Sequence, residues 1–455
     1  MRAFLDKLFP PPPGGRVLGR EILGGVTTFT AISYILFVQP VVLSQAGMDF
    51  HSVLLATCLA GAFGTFLMGL LANYPVAQAP GMGENFFFVY TLCALPPMGF
   101  GLSWQQALAA TFLGGVLFMM LSLAGFLGRL MDAIPDSLKN GIATGIGLFI
   151  ALIGFEYGNL VQPHPATFLQ LGDLRHPATL LTLLGLLLTI LLLSYRIPGA
   201  ILLGILGTAG VALVAGMVKY RGIFSADLDL SRTFLKLDFR GLFQLAPATL
   251  AAAIFVLFLL DLFDGLGTVV AVGQQAQLAR EGKLPRAGQV FFSSGADTAL
   301  GACLGTSTVV SYVESAAGVA EGARTGLANM VTGFLLLSAM FFSPLASLVG
   351  GGIEVGRDLA NNPILRYPIL APALIVVGSM MLKVVRHLTW DDPTEYIPAF
   401  LIAVTIPFAF SISAGIAMGF VSYAFAKTVT GRWKECHWLI YLFAVLFVLQ
   451  HWLIG

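Results

Sequence analysis

The chain passes from one apolar run to the next, and the length and number of those runs limit what it can fold into. Fourteen are legible. Seven lie at about 22–45, 52–72, 80–93, 104–127, 138–157, 178–195 and 198–218. Seven more lie at about 248–271, 288–304, 311–322, 325–347, 367–385, 396–411 and 412–429. A helix needs roughly 17–25 residues to cross a bilayer, and most of these runs have them. The exceptions are two short ones, at 80–93 and 311–322, each interrupted by residues that do not favour helix. The longest hydrophilic stretch, Lys219 to Gln244, separates the two groups of seven. Of the 455 residues 57% are hydrophobic and 10% charged, against about 25% charged in soluble proteins. A sizeable water-soluble domain is excluded. The expected fold is an all-α polytopic membrane protein with fourteen spans. A last apolar run, Trp438 to Ile454, is either an extra helix or an interfacial one.

Seven spans per half is an odd number, so the second half enters the membrane from the opposite side, which makes the halves inverted repeats. Their sequences agree locally: Arg196-Ile-Pro-Gly-Ala-Ile-Leu-Leu-Gly resembles Ser411-Ile-Ser-Ala-Gly-Ile-Ala-Met-Gly, each joining two late spans of its half. With a cytoplasmic amino end, 16 of the 24 Lys and Arg fall on the inner side, the bias expected of membrane proteins. The four cysteines (Cys58, Cys93, Cys303 and Cys436) have no metal or disulfide spacing and read as small core residues.

The two short runs occupy corresponding places. In the first half the segment is Ala79-Pro-Gly-Met-Gly-Glu-Asn-Phe86; in the second it is Thr306-Ser-Thr-Val-Val-Ser-Tyr-Val-Glu314-Ser-Ala-Ala-Gly318. In the second, β-branched and hydroxyl residues that prefer extended backbone give way to small helix formers. Both segments predict a short strand followed by a half-helix at membrane depth. Such backbone is tolerated only where it is buried in protein or lines a polar cavity. Paired discontinuous helices in inverted halves point to a transport site.

Carboxylates mark that site. Glu84, Asp261, Asp264, Asp297 and Glu314 fall inside spans or at their broken ends, with no Lys or Arg in those segments away from the ends. Acids at that depth line a cavity, carry protons, or both, and acids without basic partners pick up protons readily. Asp261 and Asp264 are three apart and share a helix face. Glu314 sits where a helix begins and its N–H groups are free. Glu84 and Asn85 follow the flexible Pro80-Gly-Met-Gly83 turn. Of Phe86, Phe87 and Phe88, one is expected to stack on a planar ligand. The expected binding set is Glu84, Asn85, Phe86, Asp261, Asp264, Val313 and Glu314, with Asp261, Asp264 and Glu314 as proton sites. Asp297, near Ser293, Ser294 and Thr298, reads as part of an internal packing network.

Several long motifs together resemble the AzgA-like purine permease branch of the nucleobase–cation symporter-2 family. They are Gly25-Val-Thr-Thr-Phe-Thr-Ala-Ile-Ser-Tyr-Ile-Leu-Phe-Val38, Asn73-Tyr-Pro-Val-Ala-Gln-Ala-Pro-Gly-Met-Gly83, Asp261-Leu-Phe-Asp-Gly-Leu-Gly-Thr268, Gly305 to Gly326, and Trp390-Asp-Asp-Pro-Thr-Glu-Tyr-Ile-Pro-Ala-Phe-Leu401. The resemblance runs from about Arg20 to Arg432. It implies proton-coupled uptake of purine bases such as hypoxanthine, guanine or adenine, and fourteen helices in two inverted repeats forming a homodimer. It also implies a core domain (20–130 with 248–348) moving against a gate domain (136–218 with 366–430), beside a hydrophobic tail (431–455). Its site residues map to Asn85, Asp261, Asp264 and Glu314. The protein is expected in the cell membrane, plasma or inner, with no cofactor beyond the co-transported proton, no metal and no nucleic-acid partner. Two rival classes compete with this reading. An anion transporter similar to the sulfate permeases is disfavoured by the acid-rich site, and an intramembrane enzyme lacks any second aspartate motif.

Overall fold

The computed structural model describes residues 7–11, 17–95, 99–125, 127, 133–278, 285–357, 361 and 363–454. Helices α1 (Leu18–Ile32) and α2 (Ile35–Ser44) form one span broken at Ser33–Tyr34. There follow α3 (Phe50–Leu67, prolonged to Ala72), β1 (Gln78–Pro80), α4 (Met82–Phe87, prolonged to Leu92), α5 (Trp104–Leu123) and α6 (Asp136–Tyr157). A hairpin, β2 (Val161–His164) and β3 (Phe168–Leu171), precedes α7 (Pro177–Ser194) and α8 (Ala200–Val214). The second half runs α9 (Pro247–Gln275), α10 (Ala287–Leu304), β4 (Val309–Ser311), α11 (Ser315–Ala320), α12 (Leu327–Ala339) and α13 (Ser343–Gly350). A second hairpin, β5 (Ile353–Arg357) and β6 (Pro363–Arg366), leads to α14 (Ala371–Met381), α15 (Pro393–Ala409), α16 (Ile412–Val429) and α17 (Trp438–Ile454).

The fourteen expected spans are all present among the described residues, with ends within a few positions of those read from the sequence. Local chemistry sets several of the ends. Ser103 accepts from the Gln106 N–H while the Gln106 side chain accepts from the Ser103 N–H, which closes a capping box on α5. Asp49 and Asp392 cap α3 and α15 in the same sense.

The inverted repeat is visible in the packing, which comes in matched pairs. Helix α5 lies on α10 as α3 lies on α12, and α1 lies on α12 as α9 lies on α5. Likewise α6 lies on α15 as α14 lies on α7. Small residues allow the tight crossings: a Cβ at Gly115 would come 3.0 Å from the Gly295 carbonyl oxygen.

At the centre, β1 and β4 cross as an antiparallel pair, Gln78 opposite Ser311 and Pro80 opposite Val309. Two strands alone leave their outer edges without partners, which apolar surroundings do not tolerate. Each half closes its edge the same way. Thr65, on α3, accepts from Gln78 N–H at 2.9 Å and donates to Gln78 C=O at 3.1 Å. Thr298, on α10, accepts from Val309 N–H at 3.2 Å and donates to Val309 C=O at 3.0 Å.

The tail run forms a continuous helix lying against the bundle. Ile440, Phe443, Ala444 and Phe447 of α17, at helical spacing, are buried. The Phe443 ring packs 4.8 Å from that of Phe255 on α9 and 5.8 Å from that of Phe420 on α16.

Candidate functional site

The strand crossing aims two half-helices at one region. After β1 the chain turns through Gly81 into α4, so Glu84 and Asn85 stand in its first turns, both fully buried. After β4 it turns through Tyr312 and Val313, and Glu314 stands at the start of α11 without a side-chain bond to its first turn. Helix α9 runs past both and carries Asp261, buried, and Asp264, half-buried. Glu84 interacts electrostatically with Asp264 and Asp261, and Asp264 with Glu314. The structure thus brings four of the predicted acids together. Among the described residues none of the four has an ion pair.

Polar atoms in this region lack partners within the protein. Both carboxyl oxygens of Glu84, Asp261 Oδ1, Asn85 Nδ2, Gln39 Oε1 and Thr308 Oγ1 are buried without a hydrogen bond. Leaving one such atom unmatched costs about 1–3 kcal/mol. These atoms, carboxyl oxygens and one amide nitrogen among them, make the region a candidate polar site.

Glu314 is the exception, because it is held. Tyr34, fully buried at the break in the first span, donates to Glu314 Oε1 at 2.7 Å, and its ring lies 6.3 Å from that of Tyr312. Tyr312 in turn donates to the Pro80 carbonyl, which pins the end of β4 to the end of β1.

Three expectations look different in three dimensions. Val313, expected to line the site, is half exposed in the turn between β4 and α11, while Tyr312 before it is buried. Asp297, expected in a network with Ser293, Ser294 and Thr298, has both carboxyl oxygens buried without a hydrogen bond and packs so close to Gly64 of α3 that a Cβ there would lie 1.5 Å from its Oδ2. Phe86 packs against protein rings, stacked on Tyr90 at 6.1 Å and edge-on to Phe149 at 5.9 Å. With Phe410 these rings form an aromatic cluster joining α4 to α6 and the end of α15. Tyr90 also lines a cavity of about 510 Å³ with Gln45, Val89 and Trp104. Tyr34, Gln39, Ser307 and Tyr312 were not singled out from the sequence.

Two half-helices meeting at a strand crossing, with a cluster of acids that have no ion pair among the described residues, within inverted seven-span repeats, fit a membrane permease. Residues 19–418 match the model of the permease family Xan_ur_permease. The chain belongs to this nucleobase–cation symporter-2 family, in its AzgA-like branch. It is 38% identical over 432 residues to the guanine/hypoxanthine permease PbuO of Bacillus subtilis, covering 95% of this chain and 96% of that protein. It is 38% identical over 450 residues to the adenine permease AdeP of Escherichia coli, covering 99% and 96%. In fold it is similar to the transmembrane domain of the cyanobacterial bicarbonate transporter BicA. That match has a TM-score of 0.62 at 14% identity, covering 89% of this chain and 97% of that one.

Proposed function

We propose that this permease carries purine bases (guanine, hypoxanthine or adenine) into the cell together with a proton. The observation that carries the reading is the set of acids without cations at the strand crossing, beside the unpartnered Asn85 amide. A purine is a flat ring with N–H donors and ring-nitrogen or carbonyl acceptors along its edge. It needs apolar faces and a few convergent polar groups. Carboxylates of Glu314 and Asp264 accept from its N–H groups, and Asn85 meets an acceptor. Asp261 or Asp264 takes the co-transported proton. The relatives that transport guanine, hypoxanthine and adenine support the choice of ligand.

Alternating access follows from the same layout. The core (20–130 with 248–348), which holds both half-helices, moves against the gate (136–218 with 366–430). An ionised, empty site resists passage through the apolar barrier, whereas a protonated and filled one passes, and this couples the two fluxes. The aromatic cluster of Phe86, Tyr90, Phe149 and Phe410 spans the two proposed bodies and separates when they do. The amino terminus faces the cytoplasm, on the excess of Lys and Arg on that side.

The test is uptake of labelled adenine, guanine, hypoxanthine, xanthine and uracil by cells lacking their own base permeases. Expected are uptake of at least one purine, acceleration at acidic external pH, and collapse with a protonophore. Indifference to pH and protonophore would make the protein a uniporter; uptake of uracil alone would overturn the purine assignment.

A further inference from the structure

The Asn85 amide can present either its oxygen or its nitrogen to a ligand, and the residues behind it decide which. Asn85 Oδ1 accepts from the Ser307 hydroxyl, on the approach to β4. Ser307 Oγ in turn accepts from Gln39 Nε2 at 3.0 Å, and the same nitrogen donates to Thr306 Oγ1 at 2.8 Å. Gln39, Asn85, Thr306 and Ser307 are all fully buried, so no solvent competes for these bonds. A hydroxyl has one hydrogen to give. Because Gln39 donates to Ser307, that hydrogen is free to point at Asn85, and the Asn85 oxygen is occupied. What remains is Asn85 Nδ2, buried and without a protein partner.

We infer that Gln39 is a specificity-positioning residue. Acting through Ser307, it fixes the Asn85 amide with its N–H donors towards the substrate, so the permease selects bases with a hydrogen-bond acceptor at that edge. This rests on the purine reading above and adds the polarity of one contact to it. The role assigned to Gln39 is exerted through its Nε2, which donates to Ser307. Gln39 lies on α2 and is linked to Asn85 by hydrogen bonds through Ser307.

The experiment compares uptake of a parent purine with analogues that each lack one acceptor: 3-deaza, 7-deaza and 6-deoxy forms. In the wild type one analogue loses about five- to tenfold in apparent affinity, as expected for one neutral hydrogen bond. Gln39→Leu and Ser307→Ala, which free the amide to turn, bring that ratio to within about twofold of one while still carrying the parent base. A residue that only supports the fold would lower uptake of parent and analogue alike and leave the ratio unchanged; surface abundance, measured by labelling, separates that loss. An unchanged ratio in both variants overturns the inference, as does a wild type indifferent to all three analogues. If the wild type carries no purine at all, the functional reading fails first, and that outcome is read from the parent base alone.

Discussion

Lys427, on α16, and Asp261, on α9, are both buried in the bundle, yet the protein treats them in opposite ways. Lys427 Nζ lies 2.7 Å from Glu395 and 3.0 Å from Glu435. Glu395 also accepts from Tyr423 at 3.1 Å and from Ser137, while Arg432 pairs with Asp392 at 2.6 Å and Glu435 at 2.7 Å. This network ties together the starts of α6 and α15, the end of α16 and the turn into α17. Asp261 has no ion pair among the described residues and leaves one oxygen without a hydrogen bond. The chain can therefore neutralise buried charge where a charge serves the architecture. Around Glu84, Asp261 and Asp264 it leaves acids bare, and in the reading proposed above their missing partner is a ligand or a proton.

The largest test of that contrast removes the bare acids. Asp261→Asn with Asp264→Asn is expected to abolish accumulation of base against its gradient, measured as labelled uptake in energised cells or vesicles. Folding should be retained, because an amide costs less to bury than an unpaired carboxylate. Preserved accumulation would remove both aspartates from the coupling role. Next in size is Glu314→Gln. A hydrogen bond to a charged group is worth about 1.5–3 kcal/mol, so apparent affinity should fall by roughly one to two decades. Affinity and rate at wild-type values would take Glu314 out of the binding set.

The paired cluster should respond in the other currency, stability. Lys427→Met strands Glu395 and Glu435 without their cation. Breaking a fully buried pair costs about 3–5 kcal/mol, but both carboxylates keep some contact with water, so about 1–3 kcal/mol is expected here. The measurement is thermal unfolding in detergent together with relative uptake of two purines. A lower melting temperature with an unchanged purine preference supports the contrast. A changed preference with unchanged melting would reverse it.

What was legible in the sequence divides along the same physical line. Apolar run length and Gly-Pro interruptions are local signals, so the fourteen spans, the paired breaks at Pro80–Gly81 and Thr306–Ser311, and the acids within spans are all legible in the sequence. Partnership is not local. Tyr34 meets Glu314 across 280 positions and Gln39 meets Thr306 across 267, and only the inverted repeat brings them together. One signal did point at Tyr34: polar Ser33 and Tyr34 interrupt an apolar run shortly before Pro40, where a helix is easily broken. Val313 shows that nearness in sequence to Glu314 does not fix which way a side chain in the turn before α11 faces. Phe86 shows that the ring contacts of an aromatic beside the candidate site are likewise set by residues distant in sequence, here Phe149.

The smallest expected effect concerns pH and again separates paired from bare charge. Hydrogen bonds from the Arg432 guanidinium hold the Asp392 and Glu435 carboxyls down at about 2, below the roughly 4 of an unfolded chain. A carboxylate depressed in this way contributes stability above its unfolded value and loses it as pH falls from about 4 towards 2. Both groups lie at the surface, where water and salt screen the pairing, so the change is a shallow decline. Melting temperature should therefore hold steady from pH 7 to 5 and drop below about 4. Other carboxylates titrate in the same range, which is why the comparison with Arg432→Gln matters. That variant should melt lower at neutral pH and show a flatter acid decline, whereas Asp261→Asn should leave the Arg432-dependent part of the curve untouched. If wild type and Arg432→Gln decline in parallel, these pairs add nothing to stability. The buried Lys427 pairs alone would then account for the cohesion of that end of the bundle.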